Sequence, residues 1–175
     1  QHEYACPYEI SYPAGPRATP TVTGDLVVTL GAQGDLIALE AKTGKVRWQR
    51  NFVNDFGATV PVWGFAAHPL VHDGMVITMV GGTDQSVVAF DLATGQVKWK
   101  ALSSDDAGYC PPSVIMAGGT KQLIVWHPTA VASLNPATGS EYWTVPHVPD
   151  YGMSIAQPQQ SGEYLFVSGI KDKSI

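Results

Sequence analysis

Cysteine is scarce in these 175 residues: Cys6 and Cys110 are the pair, and their separation is no metal-ligand spacing. Basic charge is scarce too. Ten Lys and Arg against fifteen Asp and Glu leave a net charge of −5, and their scatter argues against nucleic acid or an anionic membrane as partner. No apolar run reaches the length of a membrane span. A Ser nucleophile motif, a phosphate loop and a close carboxylate pair are also missing. Gly81-Gly82 and Gly118-Gly119 lie between strand patterns and read as turns. Long helical periodicity is absent, whereas eighteen Gly and thirteen Pro punctuate short apolar runs, a composition of many strands and turns. The chain opens on Gln1 without Met, so a missing signal peptide decides nothing.

What is present is a repeat. Ala38 to Trp48 reads A-L-E-A-K-T-G-K-V-R-W, Ala89 to Trp99 reads A-F-D-L-A-T-G-Q-V-K-W, and Ser133 to Trp143 reads S-L-N-P-A-T-G-S-E-Y-W. Recurrence at this period points to a propeller or a similar array. In each copy an apolar strand ends at Glu40, Asp91 or Asn135, side chains able to fold back on the next amides. Thr-Gly then supplies the reversal, with Gly at a positive φ. The next strand alternates, Val46 and Trp48 opposite Arg47 and Gln49. A Trp at one fixed place per unit predicts a wedge against the neighbouring unit, its indole N–H paired there.

The motif A-x-D-x-x-T-G-x-x-x-W resembles the tryptophan-docking motif of the quinoprotein-like β-propellers, whose blades are called PQQ-like repeats. The second copy matches at every fixed position, while Glu40, Ser133 and Asn135 depart from it. The resemblance implies an all-β fold, a partial β-propeller of four-stranded antiparallel blades. It says little of activity, because the family holds dehydrogenases, an outer-membrane assembly lipoprotein and proteins of unassigned role.

The expected layout is a lead-in loop over 1–17, then a partial propeller over 18–175. Blade one spans 18–51, blade two 66–101, blade three 112–145, and a half blade 154–169. The second strands, such as Met75-Val76-Ile77 and Leu123-Ile124-Val125-Trp126, are apolar on both faces, as stacked blades require. The first strands carry Pro20, Pro69, Pro112 and Pro158, which suits an inner edge with no ladder to break. Arg47, Lys98 and Lys100 suit the solvent-facing outer edge. Three and a half blades do not close the ring of seven or eight that the resemblance implies, and open ends would bare apolar faces. The expectation is an excerpt of a longer protein, whose remaining blades complete the ring, or a half-ring that self-associates.

Up-and-down strand order puts the inter-blade loops 51–65, 102–111 and 145–153 on the same end as the second-to-third-strand turns. That long-loop end is the expected functional face. Its ligand-binding candidates are Arg17, Trp63, His68, Asp84, Tyr109, Cys110, His127 and Tyr151, aromatics with a few polar groups around a channel mouth. Simple packing of the loops by Trp63, Phe65, Tyr109 and Tyr151 is the other reading. His68 and His127 with Asp84 or Asp55 could serve as metal ligands, but no local spacing supports that, and no metal is assigned. His147 and His2 read as solvated. Cys6 should approach the same face, so a disulfide with Cys110, two inert thiols and a reactive thiol all stay open.

The leading functional expectation is a non-catalytic periplasmic or secreted platform that binds a protein or small molecule through the long-loop face, with no cofactor. The resemblance implies the alternative, part of a dehydrogenase using pyrroloquinoline quinone (PQQ) and calcium on an alcohol or sugar. That branch would need calcium ligands, an aromatic floor under the quinone and, among alcohol oxidisers, adjacent cysteines. Cys6 and Cys110 are far from adjacent, and no residue matches the calcium ligands.

Overall fold

In the computed structural model, which describes residues 1–7, 15–169 and 175, the three repeats fold into three four-stranded antiparallel sheets. Blade one is β1 (Thr21–Thr23), β2 (Leu26–Leu30), β3 (Asp35–Glu40) and β4 (Val46–Asn51). Blade two is β5 (Leu70–His72), β6 (Met75–Met79), β7 (Val87–Asp91) and β8 (Val97–Ala101). Blade three is β9 (Ser113–Ala117), β10 (Thr120–His127), β11 (Ala130–Leu134) and β12 (Glu141–Pro146). Strands follow chain order within each sheet, and β13 (Gln159–Ser161) pairs with β14 (Tyr164–Phe166) as a two-stranded half blade. The fold is thus the all-β, four-stranded-blade architecture that the repeat predicts. Part of the expected lead-in, 8–14, lies outside the described residues, as do 170–174 at the other end.

The repeat builds one turn three times. The amides of Gly44, Gly95 and Gly139 donate to the carbonyls of Glu40, Asp91 and Asn135, each at 2.8 Å, with φ of 72°, 68° and 74°. Asp91 Oδ1 also accepts from the amides of Ala93 and Thr94 and from the Thr94 hydroxyl; that hydroxyl, above all, holds the carboxyl below its usual range. The small residue that opens each motif has its own task. Ala38, Ala89 and Ser133 lie directly opposite Trp48, Trp99 and Trp143, and the ladder slips by a bulge immediately after each. A larger side chain there would compete with the indole for the same space.

Two of the indoles sit on the following blade. Trp48 Nε1 donates to Leu92 O at 2.8 Å, and its ring lies so close over Gly95 that a Cβ there would meet Cδ2 at 2.6 Å. Trp99 repeats this, with Nε1 donating to Pro136 O at 3.2 Å and its ring over Gly139. Trp143 departs from the expected equivalence. Its Nε1 donates to Gln122 Oε1 within its own blade, and the described residues of the half blade, β13 and β14, include no Thr-Gly turn to receive it.

One apolar core runs through blades one and two into blade three, and a second joins Ile124, Trp126 and Val131 of blade three to Val167 and Leu165. Every residue of β6 and β11 is buried. Full coverage fails at the two ends of the arc: β2 alternates buried and half-buried, and Tyr164 and Phe166 of β14 are exposed. Their outward faces meet no further blade. Pro20, Pro69, Pro112 and Pro158 each stand one residue ahead of β1, β5, β9 and β13 rather than inside them, so a residue without an N–H starts each inner edge strand.

Candidate functional site

Backbone hydrogen bonds tie each inter-blade loop to a second-to-third-strand turn, which assembles one loop-rich end. Phe65 N donates to Ala32 O and Phe52 N to Gly34 O, both at 2.9 Å, Gly82 pairs with Ser104, and His147 N donates to Thr129 O at 3.1 Å. Tyr109 N donates to Ser154 O at 3.0 Å, joining two inter-blade loops to each other. A Cβ on Gly108 would meet Ser154 Oγ at 2.5 Å and Pro128 at 3.2 Å, so that seam has no room for a side chain.

The first loop holds a helix, α1 (Phe52–Phe56), where the sequence pattern predicts only a loop. Five residues show no periodicity, but the local chemistry is present. Asn51 Oδ1 caps the amide of Asn54, and Gly57 closes the other end at φ 65°. Phe52 is fully buried, edge-on to Phe65 at 5.2 Å, and Lys100 Nζ lies 4.8 Å above the Phe56 ring.

The candidates divide. Trp63 and Tyr109 come together, their rings 5.5 Å apart and tilted by 59°. Burial, with Asp106 nearby, pushes the Tyr109 phenol up to about 12. Cys110 is buried beside the carbonyls of Pro111 and Ala156, and burial raises its thiol to about 12 as well. His127 is buried with Nδ1 3.1 Å from the Thr129 hydroxyl, and desolvation draws its pKa down, so the ring is held neutral. Asp84 is exposed and closes a small ring with Ser103, which accepts from its amide and donates to its carboxylate. Tyr151 is 77% exposed at the tip of the third loop. His68 is half-buried just ahead of β5, and Arg17 is half-buried between Pro16 and Ala18.

One of the alternatives left open for the cysteines is decided, and one expectation, a solvated His147, needs correction. The cysteines are both free: Cys6 lies near Asp35 and Gln33 on blade one, whereas Cys110 belongs to the core between blade three and the half blade, at the other end of the arc. His147 is buried, not solvated. Its loop folds back across β10, so the ring stacks on Trp126 at 5.3 Å and Trp126 Nε1 donates to its carbonyl. Two cavities lie on blade one. A cavity of about 610 Å³ opens between the N-terminal segment and the outward face of blade one, lined by Tyr4, Cys6, Thr29, Ile37 and Leu39 among others. A more polar one of about 370 Å³ adjoins Tyr4, Asp35, Asn51 and Asp55. Sequence periodicity shows that Thr29, Ile37 and Leu39 share a face, but not that the face is left open.

No three His, Cys, Asp or Glu side chains converge among the described residues. Calcium takes six to eight oxygens. One cluster of side-chain oxygens on blade one is engaged in local structure: Asp35 Oδ1 accepts from Asn51 Nδ2, Asp55 Oδ2 from Asn51 N, and Asn51 Oδ1 from Asn54 N. Trp63 leans on Tyr109 and Trp126 is buried under His147, so neither offers an open floor for a planar quinone. The residues of this cluster and these two indoles assemble neither a calcium-binding oxygen set nor a floor for a quinone.

Stacked four-stranded blades, with indoles of one on the Thr-Gly turn of the next, define a repeat β-propeller. The family profile described as outer membrane protein assembly factor BamB matches residues 10–172, and the chain belongs to this family of PQQ-like propellers. It is 26% identical over 160 residues to the outer membrane protein assembly factor BamB of Burkholderia pseudomallei, covering 73% of this chain and 42% of that protein. It is 28% identical over 153 residues to the quinoprotein ethanol dehydrogenase of Pseudomonas aeruginosa, covering 77% of this chain and 23% of the enzyme. Among solved structures it resembles BamB from Moraxella catarrhalis with a TM-score of 0.63 and 19% identity, over 87% of this chain and 43% of that one. The chain therefore spans less than half the length of these relatives.

Proposed function

We propose that the chain is part of a non-catalytic, extracytoplasmic propeller that binds protein ligands through its long-loop end, in the assembly of outer-membrane proteins. The observation that carries this reading is the make-up of that end. Its loops are stitched to the turns beneath them, yet Val62, Val148, Tyr151 and Ile155 point outward and are at least half exposed. Exposed apolar side chains on a rigid support suit a protein surface better than a small substrate. The family match, whose description is an assembly factor, supports the same reading. The raised, buried Tyr109 phenol and Cys110 thiol of that end fit the same reading, since both stay protonated at neutral pH. Among the described residues no helix is long and apolar enough to cross a membrane.

A photo-crosslinking residue placed at Val62 or Tyr151 tests the proposal, with an outer-membrane β-barrel polypeptide as probe. Adducts from both positions are expected, and none from Lys42 on the opposite, short-turn end. Equal labelling from all three would refute a dedicated face.

The second reading, a fragment of a quinone- and calcium-dependent alcohol or sugar dehydrogenase, is favoured by the 28% identity to the ethanol dehydrogenase. Dye reduction by the protein after addition of PQQ and calcium would establish it over the first. No activity above background is expected.

A further inference from the structure

Charge is sorted between the two ends of the blades. The loop-rich end is built from 31–35, 51–65, 81–85, 102–111, 127–130 and 145–153. Those segments hold Asp35, Asp55, Asp84, Asp105, Asp106 and Asp150 but neither Lys nor Arg. The short-turn end mixes signs, with Lys42 and Lys45 sharing its turns with Asp25 and Asp73. Ion pairs follow the same division. Arg47 meets Asp25 and Glu40, Lys98 meets Asp91, and Lys121 meets Asp73, at 3.3 to 3.9 Å. Among the described residues no ion pair joins Asp55, Asp84 or Asp105, all of them exposed. Asp55 accepts from the Asn51 amide and Asp84 from the Ser103 hydroxyl, neutral donors that fix a carboxylate in place and leave its charge uncompensated.

The three acids belong to one continuous surface. Gln85 Nε2 donates to Phe56 O at 2.7 Å, which ties the turn of Asp84 to the helix of Asp55. Ser103, two residues before Asp105, donates to Asp84 at 3.1 Å. Lys100 stands at the rim, over the Phe56 ring and donating to Gln85 Oε1. Val62, in the loop that also carries Asp55, adds an apolar side chain that is 70% exposed. Loops 51–65 and 102–111 run between complete four-stranded blades, so no absent neighbour accounts for their exposure. We infer that the protein partner of this end presents Lys or Arg around an apolar centre. The inference rests on the platform reading of the same end and specifies its ligand. Apolar contact at Val62 holds the complex, while the surrounding carboxylates draw a basic surface in and turn an acidic one away. Their pull reaches about 10 Å at 0.1 M salt.

Stopped-flow fluorescence on the 175-residue chain tests this, with two labelled synthetic peptides of equal length, one alternating Tyr and Lys and the other Tyr and Glu. The Lys peptide should associate at least about tenfold faster, and the gap should close near about 1 M salt, where screening acts within about 3 Å. Asp55→Asn, Asp84→Asn and Asp105→Asn together keep an acceptor oxygen at each place. They should slow the Lys peptide about tenfold and leave its dissociation nearly unchanged, whereas Val62→Ser should speed dissociation instead. Asp25→Asn, Asp73→Asn and Glu141→Gln together remove the same charge elsewhere and should change the association rate by no more than about twofold. Melting checks that each variant is folded, and Asp105→Lys alone stands in if the loop-end triple is not. Equal rates for the two peptides, or equal slowing by the two triple variants, overturns the inference. Crosslinks from Val62 and Tyr151 to a barrel polypeptide, without a preference for the Lys peptide, overturn it and leave the platform reading intact. A Lys preference that the loop-end triple abolishes, without such crosslinks, upholds it and overturns the platform reading alone.

Discussion

Alanine at Gly95, compared with alanine at Gly74, separates the cost of a left-handed turn from the cost of unseating an indole. Both glycines have positive φ, 68° and 74°. A Cβ on Gly74 meets nothing within 4 Å, whereas on Gly95 it falls 2.6 Å from Trp48 Cδ2 and 2.7 Å from Cε3. Gly74→Ala therefore carries only the backbone term, about 1–2 kcal/mol. Gly95→Ala adds about 1–3 kcal/mol for overpacking against a buried ring. It adds about 0.5–1.5 kcal/mol more as the bond from Trp48 Nε1 to Leu92 O is lost. The difference between the two variants should be at least about 1.5 kcal/mol. In a chain of this size that is about 3–6 °C in melting temperature. Thermal and urea unfolding followed by tryptophan fluorescence read both. The decisive arm is the Trp48→Ala background, where Gly95→Ala should cost no more than Gly74→Ala does. Equal costs for the two glycines in the wild-type chain, or a Gly95 penalty undiminished without the indole, would refute the inter-blade seat as the cause.

Trp143→Ala should destabilise less than Trp48→Ala, by at least about 1 kcal/mol, since its ring holds a side chain of its own blade rather than the next turn; equal losses in urea melts would contradict this. In native protein a thiol reagent should label Cys6 and spare Cys110, which is buried and has its thiol raised to about 12; full unfolding should expose both, and rapid native labelling of both would be the contrary result. Tyr109, whose phenol is raised to about 12, favours the folded state fully below its unfolded value near 10 and loses that contribution as pH climbs toward 12. Absorbance at alkaline pH should show one phenol ionising late, and Tyr109→Phe should remove that phase. His127 works in the opposite sense: its lowered pKa contributes stability above about 6.5 that is lost as pH falls through the folded value, so His127→Gln should flatten the acid limb of a stability–pH curve.

Local chemistry made much of the fold legible from sequence. The Asx-type acceptor, the Thr-Gly reversal and the small residue opposite Trp all act within eleven residues, so their recurrence specified the turns, the strand alternation and the seats of Trp48 and Trp99. Connectivity alone then placed the long loops and the second-to-third-strand turns on one end, because adjacent antiparallel strands must alternate. The burial of His147, the separation of Cys6 from Cys110, the helix inside the first loop and the open cavity on blade one were not legible. Each depends on how a loop of irregular backbone folds across a neighbouring blade, and no periodic pattern encodes that path. The Trp143 exception belongs to the same class. Its motif is nearly that of the other two, but an indole's seat is supplied by the turn of the following blade, and the tertiary structure decides that Gln122 of its own blade takes the N–H of Trp143 instead.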